Sequence, residues 1–255
     1  MTPLEVVFAG LFGLVVGSFL NVCVYRLPRG ESVTWPGSHC TTCNRPLSWY
    51  ENIPVASWIV LGGRCRTCGE PISLVYPLVE LVTAAVFVGG YVIYGLTPLL
   101  AARLLFAVAM IVLFVIDLEH RILPDLITLP GIVLGFVFSL FLPPGWRDSL
   151  IGIILGGGSL WLMGELYFRV RHEEGMGFGD VKMLAMIGAF LGWKLMLLTL
   201  VLASFAGSLV GIGLMVTGRG GMKLALPFGT FLAVGALAAA VFGDPLLDWY
   251  LGMYE

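Results

Sequence analysis

Two aspartates and four cysteines have the types and spacing for chemistry in this chain. Asp117 ends the apolar run Leu104 to Ile116, and Asp180 stands in Gly177-Phe178-Gly179-Asp180 at the head of another apolar stretch. Each falls where a membrane helix meets water, and an ionisable side chain there is costly enough to point to function. Two close carboxylates cannot both ionise easily, so one keeps a proton to give while the other takes one. That is a set of groups for acid and base catalysis. The two lie 63 positions apart, so only the fold can bring them together.

The cysteines form a second pattern, Cys40-x-x-Cys43 and Cys65-x-x-Cys68, with 21 residues between the pairs. Two such turns bring four thiolates to the corners of a tetrahedron, the arrangement Zn²⁺ prefers. Four protein ligands close the site, so the metal is expected to be structural, since catalytic zinc keeps a position for water. Two disulfides or idle thiols are the alternative, and a reducing cytosol disfavours disulfides. His39, beside Cys40, reads as a surface histidine, and Cys23 reads as a small packing residue inside an apolar run.

The elements that must position these groups are membrane helices. Of the 255 residues 58% are hydrophobic and only 12% charged, and the mean hydropathy is +0.96, which leaves too little polar surface for a soluble domain. A net charge of −2 without a concentrated basic face excludes a nucleic-acid partner. Apolar runs near the spanning length of ~20 residues occupy Leu4 to Tyr25, Leu74 to Tyr94, Leu99 to Ile116, Leu126 to Leu142, Leu150 to Phe168, Val181 to Trp193, Leu195 to Thr217 and Leu226 to Phe242. The expected fold is an all-α polytopic membrane protein of about eight transmembrane helices with a small cytoplasmic zinc-binding loop. It divides into the first helix, 1–25, the cysteine loop, 26–73, and the remaining helices, 74–255. The first run lacks a secretory leader's features and is read as a retained helix.

Charge orients the helices. With Arg26 cytoplasmic and eight spans, Arg29, Arg45, Arg64, Arg66, Arg121, Arg169, Arg171, Lys182, Arg219 and Lys223 share its side, whereas Arg103, Arg147 and Lys194 fall opposite, with the acidic tail Asp244, Asp248 and Glu255. This obeys the positive-inside rule; fusing Val181 to Thr217 into one span would break it. The same topology puts both aspartates at the cytoplasmic face at similar depth. Asp125 reads as a cap or support for the helix that follows it; Glu119, His120, Arg121, Glu173 and Glu174 read as solvated interface charges. Arg121 and Lys182 suit acidic groups or lipid phosphates.

Six ordered blocks of residues carry a resemblance: Gly17-Ser18-Phe19-Leu20-Asn21-Val22 with Tyr25-Arg26-Leu27-Pro28, Tyr50-Glu51-Asn52-Ile53-Pro54, Tyr76-Pro77-Leu78-Val79-Glu80, Ile116-Asp117, Leu123-Pro124-Asp125, and Gly175-Met176-Gly177-Phe178-Gly179-Asp180-Val181-Lys182. Together they resemble the bacterial prepilin peptidases over nearly the whole chain. Thr41 and Phe178 depart from the family's frequent proline and glycine at those places. The resemblance implies a membrane aspartic protease with Asp117 and Asp180 as catalytic residues and Cys40, Cys43, Cys65 and Cys68 as zinc ligands. Which aspartate is the base is left open by the sequence. The implied substrates are prepilins or pseudopilins, cut on the cytoplasmic side of the bacterial inner membrane, with membrane lipid as the surroundings. The resemblance further implies N-methylation of the new amino terminus from S-adenosylmethionine. No Gly-x-Gly-x-x-Gly loop follows a predicted strand, so the donor rests on resemblance alone, and the loop with Glu51 and Asn52 is the place to look. A proton-coupled transporter and a non-catalytic zinc platform are the alternative classes. A transporter usually carries repeats and broken helices at mid-membrane, and a platform has no need of two aspartates.

Overall fold

The computed structural model describes residues 2–172, 177–217 and 226–252. Glu173, Glu174, Gly175, Met176, Arg219, Lys223 and Glu255 lie outside the described residues. The helices are α1 (Pro3–Arg26), the short α2 (Ala56–Val60), α3 (Val75–Tyr94), α4 (Pro98–His120), α5 (Asp125–Ser139), α6 (Trp146–Arg171), α7 (Phe178–Val216) and α8 (Phe228–Leu251). Every apolar run of the sequence is helical, the one open-chain way to satisfy backbone N–H and C=O groups in lipid. Six of these helices are long and apolar enough to cross a membrane. With α5 and the two halves of α7 counted separately they account for the eight apolar runs expected.

Several boundaries differ from the apolar runs, and α4 runs on past Ile116 to His120. The α5 helix has 15 residues and stops at Ser139, below the ~17 that span a bilayer. The α8 helix continues past Phe242 through Pro245 to Leu251. The break expected between Trp193 and Leu195 falls at Gly192, whose φ of 77° and ψ of 172° interrupt α7. A side chain there would lie 2.9 Å from Cβ of Pro144, so glycine alone fits the kink.

Contacts divide the chain into two compact units, Met1–Leu104 and Leu105–Glu255. In the first, α1 and α3 run antiparallel: Glu5 accepts a hydrogen bond from the Tyr91 hydroxyl at one end, and Asn21 donates to the Tyr76 carbonyl at the other. Gly17 sets their separation, because a Cβ there would come within 2.6 Å of Cα of Glu80. Close approach of this kind supplies the packing that holds helices together in lipid.

The second unit is built around the first half of α7. Its residues from Met183 to Gly192 are all buried, as a helix that is apolar on every side must be. Phe106, Met110 and Leu113 of α4, Leu160 of α6, and Leu232, Ala233 and Ala236 of α8 complete that core. The tightest crossing is between α6 and α7. There a Cβ on Gly188 would lie 2.2 Å from the Gly152 carbonyl oxygen, and the Ser149 hydroxyl donates to the Ala189 carbonyl at 2.8 Å. The second half of α7 instead exposes Val201, Phe205, Leu209 and Ile212, a surface suited to lipid and not to water.

Candidate functional site

Asp117 lies three residues before the end of α4, buried to 5% exposure, and its Oδ2 accepts from Thr230 twice: from the backbone N–H at 2.6 Å and from the hydroxyl at 3.0 Å. Thr230 is the third residue of α8, where backbone N–H groups have no partner within the helix. Asp117 therefore caps another helix from a distance, with its carboxyl at the positive end of that dipole. Asp180 occupies the equivalent third position of its own helix, α7, after the extended Gly177, and its side chain is half-buried.

Leu123, in the turn between α4 and α5, links the two helix starts. A Cβ on Gly179, next to Asp180, would lie 2.9 Å from Leu123 Cβ, and a Cβ on Gly229, next to Thr230, would lie 2.9 Å from Leu123 Cδ1 and 3.0 Å from Asp117 Oδ2. Two glycines thus let the starts of α7 and α8 close on one leucine. Asp125 does not cap α5: it is the first residue of that helix and pairs with Lys182 across to α7, while Pro124 holds the cap position. Glu119, His120 and Arg121 are exposed, as expected of interface charges.

In the first unit the cysteine loop folds as two matching turns. Cys40 N–H bonds to the Arg45 carbonyl and Asn44 N–H to the Cys40 carbonyl; Cys65 and Glu70, then Gly69 and Cys65, repeat the pattern. Asn44 and Gly69 take the same left-handed conformation, and the bridges His39 to Pro46 and Arg64 to Pro71 close the two turns alike. The four Sγ atoms lie within 4.8 Å of one another, and those of Cys40 and Cys68 are 3.8 Å apart. A tetrahedron with Zn–S bonds of about 2.3 Å has edges of about 3.8 Å, so the donor set fits zinc.

Between the turns, Glu51 is spent on structure. Its carboxylate, 2% exposed, pairs with Arg45 at 2.6 Å and accepts from the Ser48 N–H at 2.8 Å. The Arg45 guanidinium first, and then that N–H, hold its carboxyl down at about 2. A cavity of about 390 Å³ opens between this loop and the ends of α1 and α3, lined by Asn21, Tyr25, Arg45, Glu51, Asn52, Trp58, Tyr76 and Glu80 among others. Its size is that of a small-molecule site. Arg45 Nε is buried there without a hydrogen-bond partner, a ready donor for a ligand carboxylate. An amino-acid sulfonium such as S-adenosylmethionine carries that carboxylate together with cationic groups, so the lining fits it. Glu51 and Asn52, singled out from the sequence, line this cavity; Glu80 and Asn21 were visible only as parts of a motif, and nothing in the sequence pointed to Thr230.

Residues 11–94 match the bacterial peptidase A24 N-terminal domain, and residues 104–212 match the type IV leader peptidase family. The chain belongs to the type IV leader peptidase family. Among its relatives, the prepilin leader peptidase/N-methyltransferase of Myxococcus xanthus is 44% identical over 225 residues, 87% of this chain and 67% of its own length. That of Pseudomonas aeruginosa is 36% identical over 94% of this chain and 91% of its own, and that of Aeromonas salmonicida 39% identical over 94% and 92%. No solved structure is significantly similar. The first family match ends at residue 94 and the second begins at residue 104, beside the division of the two compact units, and Asp117 and Asp180 fall in the second match while Thr230 lies beyond it.

Proposed function

We propose that this protein removes the leader peptide from prepilins and pseudopilins and then N-methylates the new amino terminus, acting at the cytoplasmic face of the bacterial inner membrane. The juxtaposition of Asp117 and Asp180 through Leu123, Gly179 and Gly229 carries the peptidase reading. Thr230 directs two donors at Asp117 Oδ2, and hydrogen bonds donated to a carboxylate favour its ionised form. On that ground we assign Asp117 as the ionised base and Asp180 as the acid. Asp117 takes a proton from a water whose oxygen attacks the peptide carbonyl carbon, and Asp180 gives its proton to the carbonyl oxygen. Collapse of the tetrahedral adduct breaks the C–N bond, and the proton gained by Asp117 goes to the departing amine. The dyad titrates as one unit.

Cys40, Cys43, Cys65 and Cys68 hold a structural zinc that supplies cross-linking of the loop and no reactive water. The cavity beside that loop takes the methyl donor, with Arg45 as the group for its carboxylate. The test is cleavage of a prepilin in proteoliposomes by the unaltered protein, Asp117→Asn and Asp180→Asn, with thermal melts of all three. Loss of cleavage in both variants with unchanged melts is expected; cleavage by both overturns the dyad.

A further inference from the structure

Glu80 is a buried carboxylate that the peptidase reading does not use. It is 7% exposed, projects from α3 into the cavity, and accepts the Val55 N–H at 2.7 Å, with Ser18 also in hydrogen-bonding reach. No lysine, arginine or histidine among the described residues pairs with it. Of the other acids lining the cavity, Glu51 is by contrast committed to Arg45 and Ser48, and Glu70 sits in the second cysteine turn. A buried carboxylate without a countercharge is costly, and a cationic ligand removes the cost.

Val55 gives a second, independent sign. It has a φ of 60° and a ψ of −49°, a conformation that a β-branched residue adopts only under strain. Strain of that kind gathers at functional sites. Here it turns the Val55 N–H onto Glu80 and fixes the carboxylate, while Gly17 lets α1 approach closely enough for Ser18 and Asn21 to reach the same cavity.

We infer that Glu80 is a catalytic residue of the methyl transfer, binding the new α-ammonium of the cleaved substrate and accepting its proton. This rests on the two-activity reading above. An α-amine with a pKa near 7.7–8.0 is mostly protonated at neutral pH, and its nitrogen has no lone pair to offer until that proton leaves. Glu80 takes one proton from the ammonium, and the freed lone pair forms the N–C bond as the S–C bond of the sulfonium donor breaks. The S–C electron pair stays on sulfur as a neutral thioether, the product leaves as a methylated ammonium, and the proton on Glu80 passes to solvent. Arg45 and Glu80 then hold opposite charges of two different substrates, donor carboxylate and acceptor amine.

The experiment uses the full chain in proteoliposomes with a prepilin, methyl-labelled S-adenosylmethionine, and cleavage and methylation scored on the same molecules. Glu80→Gln is expected to lower methylation relative to cleavage about hundredfold, the scale of a lost acid–base group, and Glu80→Asp to restore part of it. Binding gives the second readout. The unaltered protein is expected to hold pre-cleaved pilin with a free amino terminus more tightly than the same pilin N-acetylated, and Glu80→Gln to lose the distinction while binding S-adenosylmethionine unchanged. An unchanged ratio of methylation to cleavage in Glu80→Gln, equal binding of free and acetylated pilin by the unaltered protein, or a loss confined to S-adenosylmethionine binding overturns the assignment. Absence of methylation by the unaltered protein would sink the two-activity reading itself, a result distinct from these.

Discussion

At Asp117 one carboxylate oxygen meets both donors of Thr230, so the residue proposed as base is also the residue that finishes a helix. Thr230→Val keeps the shape and the backbone N–H but removes the hydroxyl, a hydrogen bond to a charged group worth about 1.5 kcal/mol. Leader cleavage is expected to fall about tenfold, and Thr230→Ser to recover most of it; equal rates in all three proteins would remove Thr230 from the site. Asp125 has the opposite standing. Its pair with Lys182 is more than half exposed on the Asp125 side, and such pairs contribute about 0–1 kcal/mol. Asp125→Asn is expected to cleave and melt like the unaltered chain, and a folded, inactive Asp125→Asn would make Asp125 a catalytic acid. Both aspartates of the proposed dyad stand out in the sequence because each interrupts or heads an apolar run. Thr230 was not: a hydrogen bond that reaches across 113 positions leaves no periodic trace, and a threonine at a helix start is common for other reasons.

Helix identity was legible from hydropathy, because a chain in lipid has almost no choice of backbone structure. Helix length and fit were less so. Nothing in the composition of residues 126–142 marks the stop of α5 at Ser139, whose hydroxyl turns back to the Phe136 carbonyl. The crossing of α6 and α7 likewise depends on which glycines meet. Gly156, Gly157 and Gly158 look alike in sequence, yet Gly158 faces open space, whereas Gly156 would bring a Cβ within 2.7 Å of the Leu184 carbonyl oxygen. Gly188→Val is therefore expected to destabilise the protein by about 1–3 kcal/mol by overpacking, and Gly158→Val to leave the melt unchanged in the same detergent. A tolerated Gly188→Val would mean that the two helices are free to move apart.

For the molecule as a whole, metal and orientation are the properties to measure. One zinc per chain is expected by elemental analysis, with less in Cys65→Ser and a lower melting temperature on chelation; a metal content independent of Cys65 would remove the four-thiolate site. Orientation is read by a membrane-impermeant maleimide on intact cells, scored against the native chain. Lys194→Cys, beside the kink of α7, is expected to react from outside and Arg121→Cys to stay protected until the cells are opened; the reverse pattern would invert the topology. The contact between α8 and Asp117 has a use apart from catalysis. An amide proton that donates to a carboxylate resonates according to the charge it meets, so isotope-labelled Thr230 is a spectroscopic gauge inside the resting protein. Followed across pH or during inhibitor titration, its signal reports proton occupancy at Asp117 with no peptide cut at all.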